Sequence, residues 1–104
     1  MELRSIGKVI EIEGNTSKLL ISKDYQLGLK GLEDLDELLV VYWVSHPEEK
    51  PFYEEKGIFA TIYTGRPNPL GIEMAEIVSV EDNLIKVNGL HARINADIID
   101  LRPV

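Results

Sequence analysis

Residues 65–71 (GRPNPLG) are the part of the sequence best suited to bind a ligand. Each proline fixes its own backbone and restricts the residue before it, so Arg66 and Asn68 are expected to be extended and stiff. The Arg66 guanidinium offers five donors to a carboxylate or phosphate, and the Asn68 amide offers both a donor and an acceptor to a polar ring. Gly71 permits close approach by a ligand or another backbone. A rigid connection between two strands, with Arg66 in solvent, explains these residues equally well.

No other pattern predicts a catalytic or metal centre. His46 and His91 stand alone, without the spacing of metal ligands, and histidines of this kind are more often surface residues. The sequence contains no cysteine, which excludes thiolate nucleophiles, disulfides and cysteine-bound zinc. It also contains no GxGxxG, GxxxxGK[ST] or GxSxG motif. We therefore expect no metal site.

Length and composition predict one small folded domain over residues 1–104. Apolar residues make up 44% and charged residues 28% of the 104 residues, close to the average for globular proteins. The longest apolar run, residues 38–44, is far shorter than a membrane-spanning helix. The first residues lack the apolar segment of a signal peptide. The expectation is a cytoplasmic protein that does not associate with membranes.

Negative charge is concentrated in residues 33–55. The chain carries 11 basic and 18 acidic residues, a net charge of −7, and this window alone holds eight acidic residues against Lys50. It would repel a phosphate backbone unless it faces away from the contact. A solvated acidic surface is the simplest interpretation, and it disfavours tRNA as a partner.

Short apolar segments separated by turn residues predict an all-β fold, a compact barrel of six or seven strands. The expected strands are residues 5–13, 18–22, 38–44, 57–63, 70–80, 84–87 and 97–101. The unbroken apolar run at 38–44 predicts a strand buried on both faces. Glu76 interrupts the apolar alternation of residues 70–80, which predicts a bulge or a two-sided strand. Irregular leucine spacing in residues 24–37 predicts turns or a short helix over one end of the core.

Residues 57–71 (GIFATIYTGRPNPLG) resemble the signature of the TrmO, or TsaA-like, methyltransferases, G-[VI]-F-A-T-R-S-P-x-R-P-N-P-I-G. Residues 6–10 resemble the first strand of that family, and residues 28–44 resemble its long apolar strand. Residues 89–90 and 100–103 resemble its closing G-L-D and D-I-K-P segments. Most of the chain follows the family pattern in order.

The resemblance implies a small β-barrel that binds S-adenosylmethionine, usually as a homodimer, and N6-methylates threonylcarbamoyladenosine in tRNA. It also implies which residues contact the cofactor. Arg66 is the arginine of the RPNP segment, and Asn68 is expected to hold the cofactor or the acceptor beside it. The other implied contacts are Ser45 and His46 after the long apolar strand, Ile77 in the following strand, and Ile94, Asn95, Ala96 and Asp97 at the family's D-G-T-P segment.

The sequence departs from the family pattern around this site. Residues 94–97 match D-G-T-P at no position, Ser45-His46 replaces His-Gln, and residues 35–37 replace F-S-H. Residues 62–64 replace R-S-P, and the first loop, which usually carries P-R-Q-P, is reduced to residues 13–17. These differences leave a second hypothesis open, a degenerate member that binds a nucleoside-like ligand or a protein partner without catalysis. The methyl acceptor also stays open.

Two expectations concern partners. A homodimer is expected, with an interface built from the aromatic residues Tyr42, Trp43, Phe52 and Tyr53. High-affinity capture of tRNA by the chain alone is not expected, because the eleven basic residues are scattered. Folding would have to gather residues such as Lys8, Lys18, Lys86 and Arg93 on one side to create a basic surface.

Overall fold

Residues 1–45 and 47–104 are described in a computed structural model of the chain. In these residues six antiparallel strands form a closed barrel in the order β1-β2-β7-β6-β3-β8. The barrel strands are β1 Gly7–Glu13, β2 Thr16–Ile21, β3 Glu37–Trp43, β6 Leu70–Glu81, β7 Leu84–Asn88 and β8 Asp97–Pro103. Pairing of β1 with β8 closes the ring. The predicted all-β barrel is thus confirmed.

Residues between β2 and β3 form two 3-10 helices, Lys23–Leu29 and Leu32–Asp34. Leu29 is buried and Leu32 packs against the core, whereas Leu27 is exposed. The predicted short helical segment over the core is therefore confirmed, although only some of its leucines contribute.

The predicted strand at residues 57–63 is wrong. The structure has a two-stranded hairpin, β4 Phe52–Tyr53 with β5 Lys56–Gly57, followed by a third 3-10 helix, Ile58–Ala60. Local hydrogen bonds satisfy the backbone here, since the Ile58 amide donates to the Pro51 carbonyl and the Thr61 amide donates to the Ile58 carbonyl. The β-branched and aromatic composition of the segment is thus overridden by its local contacts.

β3 is buried on one face only, which corrects the prediction of burial on both. Leu38 and Val40 are fully buried in the barrel, and the alternate residues Leu39 and Val41 are half-buried on the outer face. The reason is that an antiparallel barrel strand packs on the core with one face and leaves the other outside.

β6 contains the predicted irregularity, because its pairing with β7 shifts register between Ile77 and Ser79. Its apolar alternation faces outward, and the side chains of Ile72 and Met74 are exposed. The interior side of the strand instead carries Gly71 and Ala75, which are buried, and Ile77, which packs against the core. An apolar period in a strand therefore identifies a face of the sheet, but not which face points inward.

The barrel interior holds a continuous apolar core. Its fully buried side chains include Val9, Leu19, Ile21, Leu38, Val40, Ile85, Val87 and Ile98, which come from five of the six barrel strands. At one end of this core, the last residues of β3 pair with the first residues of β6 and β8. Among the residues described, no helix is long and apolar enough to cross a membrane.

Candidate functional site

Two clefts open where β3 ends and where β6 and β8 begin. We call them the Asn95 cleft, of about 620 Å³, and the Arg66 cleft, of about 530 Å³. Tyr42 and Thr64 line both clefts, so they form the wall between them. Each volume is in the range of a small-molecule site.

The structure brings most of the predicted site residues to these two clefts. Ser45, Ile94, Asn95 and Ala96 line the Asn95 cleft, and Arg66 and Asn68 line the Arg66 cleft. His46, the other residue predicted at the end of β3, lies outside the described residues.

Two predicted residues lie elsewhere. Ile77 packs against the core further along β6, where its amide donates to the Asp36 carbonyl. Asp97 accepts a 2.7 Å hydrogen bond from the Ser5 hydroxyl and lies 3.9 Å from the Lys8 ammonium. It lines a third cleft, which it shares with Asn68. Its carboxylate is therefore engaged with residues near the N-terminus of the chain.

Hydrogen bonds to β1 hold the turn that carries Asn95. The Asn95 amide donates to the Val9 carbonyl at 2.7 Å, and the Val9 amide donates to the Ala96 carbonyl at 3.1 Å. Asn95 has a φ of 67°, a left-handed conformation that asparagine tolerates better than most residues. Ala92, at the start of the turn, is buried. The turn is thus a rigid support for an exposed amide side chain.

The Arg66 side chain both braces the loop that precedes it and lines the Arg66 cleft. Its Nη1 donates to the carbonyls of Thr61 and Tyr63 at 2.9 and 3.0 Å, and its guanidinium lies 5.9 Å from the centre of the Phe59 ring. The side chain is half-buried, which corrects the alternative of an arginine in solvent. Two of its donor groups, Nη2 and Nε, have no partner among the described residues and can meet a ligand.

Gly71 makes room for a protein side chain. It pairs directly with Tyr42 across β3 and β6, and a Cβ at this position would collide with the Tyr42 ring. The sequence predicted that a backbone or ligand would approach Gly71, but the group that does so is this aromatic ring. Tyr42 is consequently buried, so it is unavailable for the dimer interface proposed for it.

The Tyr42 hydroxyl donates to the Glu73 carboxylate. Burial of the phenol raises the pKa of Tyr42 well above its ordinary value, and the Glu73 carboxylate raises that pKa further. Tyr42 therefore stays protonated as a donor. No local pattern in the sequence indicates Tyr42, Thr64 or Glu73 as lining residues of the clefts. His91 is exposed, as expected for a lone histidine, and it also lines the Asn95 cleft. Only the strand register, which pairs Tyr42 with Gly71, reveals this wall.

The fold and its paired clefts define a small β-barrel binding domain. Residues 8–104 match the model of the tRNA-methyltransferase O N-terminal domain, and the chain belongs to that family. Two crystal structures of TrmO have the same fold, one with a TM-score of 0.82 and the other, from Pseudomonas aeruginosa, with 0.83. Each has 18% sequence identity to this chain and covers 100% of it. The chain covers 57% and 55% of those two proteins, little more than half of each.

Curated relatives agree with this membership. The chain is 33% identical to an S-adenosyl-L-methionine-binding protein of Archaeoglobus fulgidus over 83% of this chain and 67% of that protein. It is 30% identical to a probable S-adenosyl-L-methionine-binding protein of Methanocaldococcus jannaschii over 96% of this chain and 89% of that protein. Other relatives are longer, and the chain covers 53% of a similarly named protein of Pyrococcus abyssi.

Replacing Arg66 by alanine should lower the free energy of unfolding by about 1–2 kcal/mol, because two backbone carbonyls lose a charged donor at a half-buried position. Urea denaturation measures this change. The matched control is Arg4→Ala at an exposed position near the N-terminus, which should stay within about 0.5 kcal/mol of the unchanged protein. Equal stability of the two variants would contradict a bracing role for Arg66.

Proposed function

We propose that this chain binds S-adenosylmethionine in the Asn95 and Arg66 clefts and transfers its methyl group to an acceptor nitrogen. The observation that carries the proposal is the shared wall. Tyr42 and Thr64 separate two clefts of ligand size, in a chain whose family is that of a tRNA methyltransferase domain. The names of its relatives, as S-adenosyl-L-methionine-binding proteins, support the same ligand.

The residues of the clefts suit this ligand. Nη2 and Nε of Arg66, which have no partner within residues 1–45 and 47–104, match a carboxylate, and the Asn68 amide in the same cleft offers a donor and an acceptor. In the other cleft the Asn95 amide and the Ser45 hydroxyl can pair with a ribose or with the edge of a purine. Ile94 and Trp43 supply the apolar surface that a purine ring needs.

When bound, S-adenosylmethionine supplies a methyl group on a positively charged sulfur. Transfer of that group requires alignment of acceptor, carbon and sulfur, and positioning alone contributes several kcal/mol to such reactions. The stiff RPNP segment and the hydrogen-bonded turn at Asn95 can hold the reactants without further ordering of the backbone. For the acceptor we propose N6 of threonylcarbamoyladenosine in tRNA, as the family resemblance implies.

A binding protein without catalysis is the second candidate. Residues 94–97 depart from D-G-T-P throughout, and the names of the archaeal relatives record binding alone. The two candidates share the ligand and differ in whether the methyl group leaves it.

S-adenosylmethionine at 100 times its dissociation constant should add about 2.7 kcal/mol of apparent stability, which raises the melting temperature by roughly 11–22 °C for a domain of this size. Replacing the exposed Asn68 by alanine should reduce this shift because a polar contact is lost without harm to the barrel. Differential scanning fluorimetry measures both effects. The control, Asn15→Ala, alters an exposed turn residue between β1 and β2 and should leave the shift unchanged. Absence of any shift in the unchanged protein contradicts the proposal.

Charge argues against tight tRNA binding by the chain alone. Lys18 and Lys86 pair across β2 and β7, the one place where the described strands bring two basic residues into register. However, the Lys18 ammonium lies 2.9 Å from the Glu11 carboxylate, which raises the pKa of Lys18. Glu13 lines the same surface depression as Lys18, Lys86 and Glu11. The positive charge that the two lysines could offer to a phosphate is therefore largely neutralised.

We accordingly expect weak tRNA binding in the absence of a further subunit or domain. A mobility-shift assay at two salt concentrations, with unmodified and threonylcarbamoylated tRNA, tests this expectation. Each phosphate contact adds about −0.9 to the salt slope on duplex DNA and less on single strands, so a chain with few contacts should show a shallow slope. Nanomolar affinity with a steep slope would contradict it.

We also propose a homodimer, and the outer face of β3 and β6 supports it better than the aromatic residues do. On this face Leu39 lies opposite Met74 and Val41 lies opposite Ile72. The Ile72 and Met74 side chains are 63% and 54% exposed, which is unusual for adjacent large apolar residues in a strand. A second copy of the same face would cover them.

Light scattering should therefore give about twice the 11.7 kDa of one chain. Replacing Met74 by glutamate should yield the monomer, because a charge cannot be buried unpaired in an apolar interface. Ile10→Glu, at an exposed apolar position of β1, is the control and should stay dimeric. A monomeric unchanged protein at micromolar concentration would contradict the dimer.

A further inference from the structure

Three side chains join β3, β6 and the segment after β7 into one hydrogen-bonded cluster. The Tyr42 hydroxyl and the His91 backbone amide both donate to Oε1 of Glu73, the amide at 3.2 Å. Nδ1 of the His91 ring lies 2.5 Å from Oε2 of the same carboxylate. His91 lines the Asn95 cleft and Glu73 lines the Arg66 cleft, so the cluster spans the wall between them.

The cluster fixes the orientation of an otherwise exposed imidazole. The Glu73 side chain is 21% exposed and is held on one oxygen by two donors, whereas the His91 side chain is 86% exposed. An ionised carboxylate only accepts hydrogen bonds, so Nδ1 of a neutral His91 must carry the proton. Nε2 is then unprotonated, and its lone pair points away from Glu73.

We propose that Nε2 of His91 accepts the proton that the acceptor nitrogen loses during methyl transfer, and that Glu73 and Tyr42 are positioning residues for it. This role rests on the methyl transfer proposed above and adds the residue that takes up the proton released in that transfer. The same logic, a carboxylate that sets the tautomer of a histidine base, operates in hydrolytic triads.

A nitrogen bearing a hydrogen forms a bond to the methyl carbon, the carbon–sulfur bond breaks, and the sulfur keeps the electron pair. The nitrogen's proton moves to Nε2, and the Glu73 carboxylate stabilises the resulting imidazolium. Because His91 is exposed, that proton then passes to solvent.

The raised pKa of Tyr42 supports the arrangement. A phenol that stays protonated keeps donating to Oε1 of Glu73, which leaves Oε2 for the His91 ring. Loss of this donor would leave Oε1 with the His91 backbone amide as its partner.

The first test measures single-turnover methyl transfer from labelled S-adenosylmethionine to threonylcarbamoylated tRNA, at tRNA concentrations that saturate the rate because binding by the chain alone is expected to be weak. His91→Ala should lower the rate at saturating S-adenosylmethionine by about 10²-fold or more, the usual contribution of a general base. Added imidazole should restore part of the rate. Glu76→Gln, an exposed carboxylate on the same strand, is the matched control and should transfer at the unchanged rate.

The second test does not depend on catalysis. Nitrogen-15 NMR of the His91 ring should show the Nδ1–H tautomer in the unchanged protein. In Glu73→Gln the side-chain amide can donate to Nδ1, so Nε2 takes the proton and the tautomer reverses. The same variant should lose methyl transfer to a degree similar to His91→Ala.

The results of the two tests distinguish an error in the role of His91 from an error in the proposed methyl transfer. Equal rates for the unchanged protein and His91→Ala, or an Nε2–H tautomer in the unchanged protein, would overturn the role of His91 and leave methyl transfer in place. An unchanged protein that binds S-adenosylmethionine but transfers no methyl group would overturn the proposed transfer and this role together.

Discussion

The packing of Tyr42 over Gly71 is the constraint on which the cleft-bearing end of the barrel depends. Register between β3 and β6 places the ring directly against a residue without a side chain, and the hydroxyl then reaches Glu73 two residues further along β6. Together with Thr64, the ring forms the wall between the two clefts. A side chain at Gly71 would collide with the ring and displace Tyr42 from the wall between the clefts.

The RPNP loop and the turn at Asn95, which line the two clefts, are stiff for different reasons. Prolines restrict the backbone of the RPNP loop, and the Arg66 side chain ties that loop to the carbonyls of Thr61 and Tyr63. The turn at Asn95 is instead held by main-chain hydrogen bonds to β1. A site built this way loses little conformational entropy when a ligand binds, which suits a reaction that depends on alignment.

The sequence predicted the barrel and the irregularity in β6, because alternation and turn residues are local signals. The sequence-based predictions were wrong or silent where tertiary contacts determine the local structure. Residues 57–63 have strand composition but form a 3-10 helix and bends, since nearby groups satisfy their backbone. The His91–Glu73 pair joins residues 18 positions apart, so no local pattern could indicate it. Ile77 and Asp97 show that family positions transferred by order alone do not all reach the clefts.

The proposed function requires that the two clefts on either side of Tyr42 together hold one S-adenosylmethionine molecule. Backbone amide NMR during titration with S-adenosylmethionine tests it most directly. The account predicts chemical shift changes in both clefts, at Ser45 and Asn95 on one side and at Arg66 and Asn68 on the other. The turn at residues 82–83, beyond the far end of β6, should stay unperturbed. Changes confined to one cleft, or absent from both at saturating ligand, would contradict it.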